Sequence, residues 1–320
     1  MNRLLSACIS CLTGLSLAAL SAQADDPPRL GLFVIEVETG KTTQLASEPL
    51  AGHAYCGSPD FSCDAKRLVF DATPGKEWSK THILATDFRG NEQREFVNLG
   101  HGNCPTWSPD ASQIAFRINP AADPNAEPGI WMMNADGKER RRLADGDIPK
   151  WSPSGNTILT VSFSNPCTLT LIDAKSGDSQ PIELGDHQFY SVPSWAGDGK
   201  TLVAVVRSKA AFSIALVDIG DPATAKIKEI VWPCGIGVSD EPIYPVYSEK
   251  EKRCVFVGRS SMGFFLYRID AETKGVPQRL EPNALGERIA GLSLSPDGKH
   301  VLFCSERESK KRAAEPSGNE

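Results

Sequence analysis

The chain has 320 residues, of which 40% are hydrophobic and 23% are charged, a composition typical of folded globular proteins. Its net charge of −6 argues against a nucleic-acid partner, because nucleic-acid-binding surfaces usually carry a basic excess. No apolar run beyond the N-terminal segment is long enough to span a bilayer, so we expect no membrane-embedded part once that segment is removed.

Residues 1–24 resemble a secretory signal peptide. Arg3 supplies a positive n-region, residues 4–20 are apolar and uncharged, and the Ala-Gln-Ala sequence that ends at Ala24 suits signal peptidase. We therefore expect cleavage after Ala24 and a periplasmic or secreted mature protein. The alternative, an uncleaved membrane anchor, is less favoured because Ser and Thr interrupt the apolar run and Asp25 follows it closely.

The N-terminal part of the mature chain contains only the second half of a repeat whose complete copies occur further along the sequence. Residues 30–47 contain an apolar run, a glycine turn and a polar strand. Further along, the same unit follows a hairpin, as in the Ile-Trp-Met-Met-Asn run that leads to Gly137. Each such pair of units predicts four β-strands.

The hairpin is clearest at Trp107, where the aromatic residue is followed by Ser-Pro-Asp and then by an apolar run. Proline presets the first corner of a turn and aspartate can bond the backbone ahead of it. The copies are spaced by roughly 44–52 residues, the range of four-stranded propeller blades. The six anchors that begin them are Phe61, Trp107, Trp151, Trp195, Tyr247 and Leu294.

The last hairpin, at residues 290–304, has no second unit after it. We expect it to form the sixth blade together with residues 30–47, so that N-terminal strands close the ring and leave no open sheet edge. The sequence thus predicts an all-β, six-bladed β-propeller over residues 25–304. Residues 305–320 are charged without apolar periodicity, which predicts a disordered tail.

The repeated hairpin and second unit resemble the repeat of TolB-type propellers, also called the WD40-like or PD40 group. Residues 107–116 with 130–137 match that repeat closely, and residues 149–153 and 294–299 match it well. The resemblance implies a six-bladed propeller. It leaves the function open, because translocation proteins, peptidases and lyases share the repeat.

Polar residues precede the hairpins on connections that we expect at one face, around the central channel. Loops on a rigid ring commonly form binding surfaces, so this face is the candidate site for an envelope protein or small ligand. We expect a monomeric scaffold there, without chemistry or a cofactor of its own. The candidate residues are His53, His101, Asp147, His187, Asp240 and Glu287.

Three alternatives to this scaffold remain open. Oligogalacturonate lyases resemble this architecture and hold a metal with His and Gln near the channel, which makes a metal-dependent carbohydrate-active enzyme the main alternative. A peptidase is disfavoured because its usual Gly-x-Ser-x-Gly motif is absent. A structural envelope component held by the C-terminal tail is the third. The weak metal candidates are His53, His101, His187 and Gln188.

Two repeated features have simpler structural explanations. The anchors recur at one position, which favours packing between blades over a carbohydrate-binding platform. The aspartates that end the second units precede glycine turns, so we expect them to bond the backbone. They are Asp87, Asp173, Asp218 and Asp270.

An odd number of cysteines remains once the signal peptide has removed Cys8 and Cys11, so at least one thiol is unpaired. Export permits disulfides among the others. Cys56 and Cys104 enter neighbouring blades and form the first pair to test. Cys254 and Cys304 lie in apolar strand positions, where we expect free buried thiols.

Overall fold

The computed structural model describes residues 31–46, 53, 55–74, 77–88, 95–119, 125–162, 167–208, 211–234, 240–281, 286 and 289–306. The predicted signal peptide and nearly all of the predicted tail lie outside these residues, so both stay predictions. The described strands form six antiparallel sheets in a ring, which confirms the all-β, six-bladed propeller. Two short 3-10 helices accompany them, at Trp78–Lys80 and Pro222–Thr224.

The first two strands, β1 (Gly31–Glu36) and β2 (Thr42–Ala46), belong to the last blade. Blade 1 contains β3 (Tyr55–Phe61), β4 (Arg67–Thr73), β5 (His82–Asp87) and β6 (Val97–His101). Blade 2 contains β7 (Asn103–Trp107), β8 (Gln113–Ile118), β9 (Gly129–Asn134) and β10 (Arg141–Ala144). Blade 3 contains β11 (Ile148–Trp151), β12 (Thr157–Ser162), β13 (Thr168–Asp173) and β14 (Ser179–Pro181).

Blade 4 departs from the four-strand pattern because its innermost strand is interrupted. Phe189 pairs with Val206 and Ser194 with Val203, so residues 190–193 stand opposite only residues 204–205 and bulge out of the sheet. Its strands are β15 (Gln188–Phe189), β16 (Ser194–Trp195), β17 (Thr201–Ser208), β18 (Ala211–Asp218) and β19 (Lys226–Pro233). Blade 5 contains β20 (Glu241–Ser248), β21 (Arg253–Ser260), β22 (Gly263–Asp270) and β23 (Gln278–Arg279). Blade 6 is completed by β24 (Ile289–Leu294) and β25 (His300–Ser305).

Blade 6 is closed as the sequence predicts. Strand β1 pairs with β2 on one side and with β25 on the other, and Phe33 lies opposite Phe303 in the register. The two rings stack with their centroids 5.5 Å apart. The ring of blades is therefore closed by hydrogen bonds between the two ends of the described chain.

The hydrophobic core is divided into six clusters, each between two adjacent blades. Each anchor packs in the cluster between its own blade and the preceding one; Trp107, for example, packs against Val69 and Ile83 of blade 1. The structure thus confirms that the anchors pack between blades. Burial of such large aromatic side chains contributes much of the contact energy between blades.

The turns after the anchors have the predicted chemistry. Ser108 Oγ donates to Asp110 Oδ1 at 2.6 Å and accepts from the Gln113 N–H at 2.9 Å. The hydrogen bond from Ser108 lowers the pKa of Asp110. Asp173 likewise accepts from the backbone N–H groups of the turn that follows it, which confirms the structural explanation for that aspartate.

The cysteine expectations are only partly met. Cys254 and Cys304 are fully buried and free in the structure, as expected. The structure does not bring the suggested pair, Cys56 and Cys104, together, because Cys104 Sγ lies 3.4 Å from Ser58 Oγ whereas Cys56 lies beside Cys304. The cause is ring closure: Cys56 faces blade 6 rather than blade 2.

Candidate functional site

A cavity of about 600 Å³ occupies one end of the central channel. Every innermost strand begins at the opposite end of the ring, the loop end, and finishes with its anchor at the cavity, the hairpin end. The residue directly before each anchor lines the cavity. These residues form a belt with one member from each blade: Asp60, Thr106, Lys150, Ser194, Val246 and Ser293.

Asp60 is the centre of a hydrogen-bond network within this belt. Its Oδ1 accepts from Ser293 Oγ of blade 6 at 2.9 Å. Its Oδ2 accepts from Thr106 Oγ1 and the Trp107 N–H of blade 2, at 2.9 and 3.0 Å. Thr106 in turn accepts from the Trp151 N–H of blade 3 at 3.3 Å. The carboxylate is thus engaged in holding neighbouring blades together.

Lys150 places a positive charge in the same belt. The residue is half-buried, and its carbonyl oxygen accepts from Trp195 Nε1 of blade 4 at 3.0 Å, which ties its strand to the next blade. None of the salt bridges among the described residues includes its ammonium group. Lys150 is therefore available to pair with an anionic group that enters the cavity.

Lys150 also acts on a buried carboxyl group behind the channel wall. Burial raises the pKa of Asp71, while a hydrogen bond from the Cys104 N–H and the charge of Lys150 oppose that rise. The Cys104 N–H lies 2.8 Å from Asp71 Oδ2. The wall thus combines a buried acid with a cation that faces the cavity.

The innermost strands of blades 1, 2, 5 and 6 share a β-bulge three residues before the anchor. The bulged residues have positive φ, a conformation that costs non-glycine residues about 1–3 kcal/mol and is concentrated at functional sites. They are Ser58 (44°), Cys104 (50°), Tyr244 (50°) and Gly291 (69°). The repeat therefore fixes the shape of the channel wall in four blades.

At the loop end, the structure brings together two of the predicted histidines and one that the sequence reasoning missed. His82 lies between them, with ring centroids 5.8 Å from His53 and 4.5 Å from His101. Burial lowers the pKa of His82, and the charges of His101 and His53 add to the effect. The cluster thus favours a neutral His82.

The other predicted site residues lie apart from this histidine cluster. Asp147 forms a salt bridge with Arg117 at 2.9 Å, and burial raises its pKa while Arg117 opposes the rise. Asp240 accepts from the Tyr267 hydroxyl at 2.7 Å within blade 5.

His187 and Gln188 lie in blade 4, where Gln188 is exposed and pairs with Arg207 in the sheet. Glu287 lies outside the described residues. Within the described part of the chain, no group of three or more His, Cys, Asp or Glu residues is placed to hold a metal ion. No helix there is long and apolar enough to cross a membrane.

The cavity residues carry a sequence signal that the loop-based reasoning did not use. Neighbours in a strand point to opposite faces, so the residue before each anchor points away from the interface that the anchor fills. Asp60 and Lys150 occupy that position, and they are its two charged members. His82 carried no signal of its own, because only its pairing with His101 brings it into the cluster.

No family model and no curated protein matches the sequence. Among solved structures, the chain is similar to a protein of Agrobacterium tumefaciens described as a TolB protein, with 16% identity, a TM-score of 0.65, and coverage of 87% of this chain and 98% of that one. It is similar to TolB of Acinetobacter baumannii, with 16% identity, a TM-score of 0.53, and coverage of 90% and 65%. An oligogalacturonate lyase of Vibrio parahaemolyticus gives 12% identity, a TM-score of 0.50, and coverage of 88% and 98%. These matches show a TolB-like propeller fold.

Proposed function

We propose that this protein is exported to the cell envelope, where it acts as a monomeric scaffold that binds a protein segment or small ligand without chemistry of its own. The cavity at the hairpin end is the proposed binding site, with Lys150 as the group that pairs with an anionic part of the ligand. The signal-peptide pattern supports export, and the TolB-like fold supports a binding role.

The observation that carries this proposal is the difference between the two charged residues of the belt. Asp60 already accepts three hydrogen bonds from neighbouring blades. Lys150 has no salt-bridge partner within the described residues, yet it lines the same cavity. A half-buried cation gains most from an anionic partner where water is partly excluded, so this position favours ligand binding over a purely structural role.

The loop end remains a second candidate surface for a partner. His53 and His101 lie there beside His82. Asp147 is half-buried and forms a salt bridge with Arg117, so part of its side chain remains accessible to a partner. The proposal for this surface therefore rests on the predicted set His53, His101, Asp147, His187, Asp240 and Glu287.

Site-specific photo-crosslinking distinguishes the two ends of the channel. A crosslinking amino acid replaces Ser194 in the cavity in one variant and Lys175, an exposed turn residue, in the control. We expect one discrete adduct from the envelope fraction with the Ser194 variant, and its loss when Lys150→Glu is added. Equal adducts from both positions, or an adduct that Lys150→Glu leaves unchanged, would contradict binding in the cavity.

A metal-dependent carbohydrate-active enzyme is the alternative, and the fold similarity to an oligogalacturonate lyase is the observation that favours it. The three loop-end histidines are the nearest candidates for ligands, although as placed they do not form a metal-binding group. The experiment is metal analysis of protein purified without chelators, followed by a lyase assay on polygalacturonate. If the protein is such an enzyme, it should contain close to one equivalent of a transition metal. The bound metal should be lost in both His53→Ala and His82→Ala but retained in His300→Ala. If the protein is a scaffold, we expect no stoichiometric metal and no cleavage of polygalacturonate.

A further inference from the structure

The interface between blades 6 and 1 joins the two ends of the described chain. Here β24 runs beside β3, and the Phe61 N–H donates to Ser293 Oγ at 3.2 Å. A side chain added at Gly57 would lie 3.8 Å from the Cβ of Ala290, the residue that pairs with Cys304. The last hairpin is therefore packed directly against the first innermost strand.

Two cysteines from opposite ends of the chain meet in this interface. Cys56 on β3 and Cys304 on β25 belong to the same hydrophobic cluster, and they are 5% and 0% exposed. Both are free thiols in the structure, and their side chains are close enough to interact. Other buried or half-buried thiols contact different groups, since Cys167 Sγ lies 3.7 Å from the Tyr190 carbonyl and Cys254 Sγ lies 3.8 Å from that of Val255.

We propose that Cys56 and Cys304 form a disulfide that closes the propeller covalently, as a second closure beside the pairing of β1 with β25. The proposal is independent of what the cavity binds, and it relies on an oxidising compartment, which the predicted export supplies. The bond would link the first innermost strand to the last strand, and so enclose nearly the whole described chain in one covalent loop.

The oxidation balances as thiol–disulfide exchange. The two thiols lose two protons and two electrons as the new S–S bond forms. A disulfide oxidant, such as glutathione disulfide, loses its own S–S bond and leaves as two thiols. Because burial raises the pKa of Cys304, its thiol is a poor nucleophile once the interface is packed. We therefore place the oxidation during folding, before β24 and β25 dock on β3.

The experiment maps the bond in the full mature chain. The chain is refolded with a mixture of reduced and oxidised glutathione, quenched, and alkylated with N-ethylmaleimide in denaturant. It is then digested without reduction for mass spectrometry. We expect a linked peptide pair that contains Cys56 and Cys304. Alkylation of both residues under oxidising conditions, or a dominant link that involves any other cysteine, would overturn the proposal.

Thermal unfolding with and without a phosphine reductant supplies a second readout. We expect reduction to lower the Tm of the oxidised protein by roughly 5–10 °C, because the bond restricts a long loop in the unfolded state. Cys304→Ala should remove this response, whereas Cys254→Ala, which also truncates a fully buried cysteine, should keep it. A reductant response that persists in Cys304→Ala would refute the bond, whatever the cavity binds.

Discussion

At the scale of single residues, the carboxylate of Asp60 joins blade 1 to blades 2 and 6. Asp60→Ala would leave the hydroxyls of Ser293 and Thr106 and the N–H of Trp107 without their acceptor. We expect the free energy of unfolding to fall by about 2–4 kcal/mol, since donors to a charged group lose more than donors to a neutral one. Urea denaturation at neutral pH measures this loss.

The matched control is Asp136→Ala. This aspartate is exposed and bonds only within its own turn, to the Lys138 N–H at 3.0 Å and to its ammonium group. We expect the free energy of unfolding of this variant to stay close to that of the wild type. Similar losses in the two variants would show that water replaces Asp60 in the belt and that the network does not join the blades.

His82 gives a pH dependence whose sign can be worked out. Its pKa is lower in the folded protein than in the unfolded chain, so the unfolded chain binds more protons between the two values. The contribution of His82 to the free energy of unfolding is therefore fully present above its pKa in the unfolded chain, about 6.5. It is lost as the pH falls from that value towards the lower pKa of the folded protein.

The measurement is the urea midpoint of unfolding at pH 7.5 and at pH 5 for the wild type and His82→Gln. We expect a smaller fall for His82→Gln than for the wild type, and no such difference for His187→Gln. Burial raises the pKa of Asp71 and Asp147, which acts in the opposite direction, so only the difference between variants isolates His82. Equal falls in His82→Gln and wild type would contradict the assignment.

At the scale of elements, the turn between β1 and β2 fastens blade 6 against blade 5. Gly40 has a φ of 69°, and a Cβ atom there would clash with the carbonyl oxygen of Leu280. We expect Gly40→Ala to cost more than about 2 kcal/mol, because a backbone atom cannot move aside as a side chain can. Chemical denaturation measures the cost.

Gly185→Ala is the matched control for this turn. Gly185 also has a positive φ, 57°, but a Cβ atom there would meet nothing within 4 Å. Its cost should be limited to backbone strain, about 1 kcal/mol. If both substitutions cost the same, the contact between Gly40 and Leu280 does not hold blades 5 and 6 together.

The elements could be predicted because each blade repeats the same local signals. The Ser-Pro-Asp turn at Ser108 specifies its own hydrogen bonds, and the missing half-repeats at the two ends specify the closure. The split of the innermost strand of blade 4 escaped prediction, because the extra residues between Phe189 and Ser194 show only in the register with β17. The contact between Cys56 and Cys304 could not be predicted either, since the two residues lie near opposite ends of the sequence.

The cavity was less accessible to prediction than the fold. Loop residues such as His187 are conspicuous in the sequence because they lie in polar connections between apolar strands. Lys150, in contrast, stands inside a strand, where its direction depends on which neighbour is buried. Once Trp151 is known to pack between blades 2 and 3, the direction of Lys150 follows from strand alternation. Packing information was therefore needed before the site could be identified.

At the scale of the whole molecule, β1 has a larger role than its position at the start of the described chain suggests. Its residues alternate between two interfaces. Leu32 and Val34 pack in the cluster between blades 6 and 1. Phe33 and Ile35 pack in the cluster between blades 5 and 6. Removal of this strand would therefore open two of the six interfaces, as well as the edge of β25.

A chain that begins at residue 47 tests this role. We expect it to lose cooperative unfolding and to associate through the exposed edge of β25, because an unpaired strand edge templates pairing with another chain. Addition of a synthetic peptide of residues 31–46 should restore one cooperative transition, whereas a peptide with Phe33→Asp and Ile35→Asp should not. Circular dichroism during urea titration and light scattering are the two readouts. Cooperative, monomeric unfolding of the truncated chain alone would show that the remaining blades close the ring without β1.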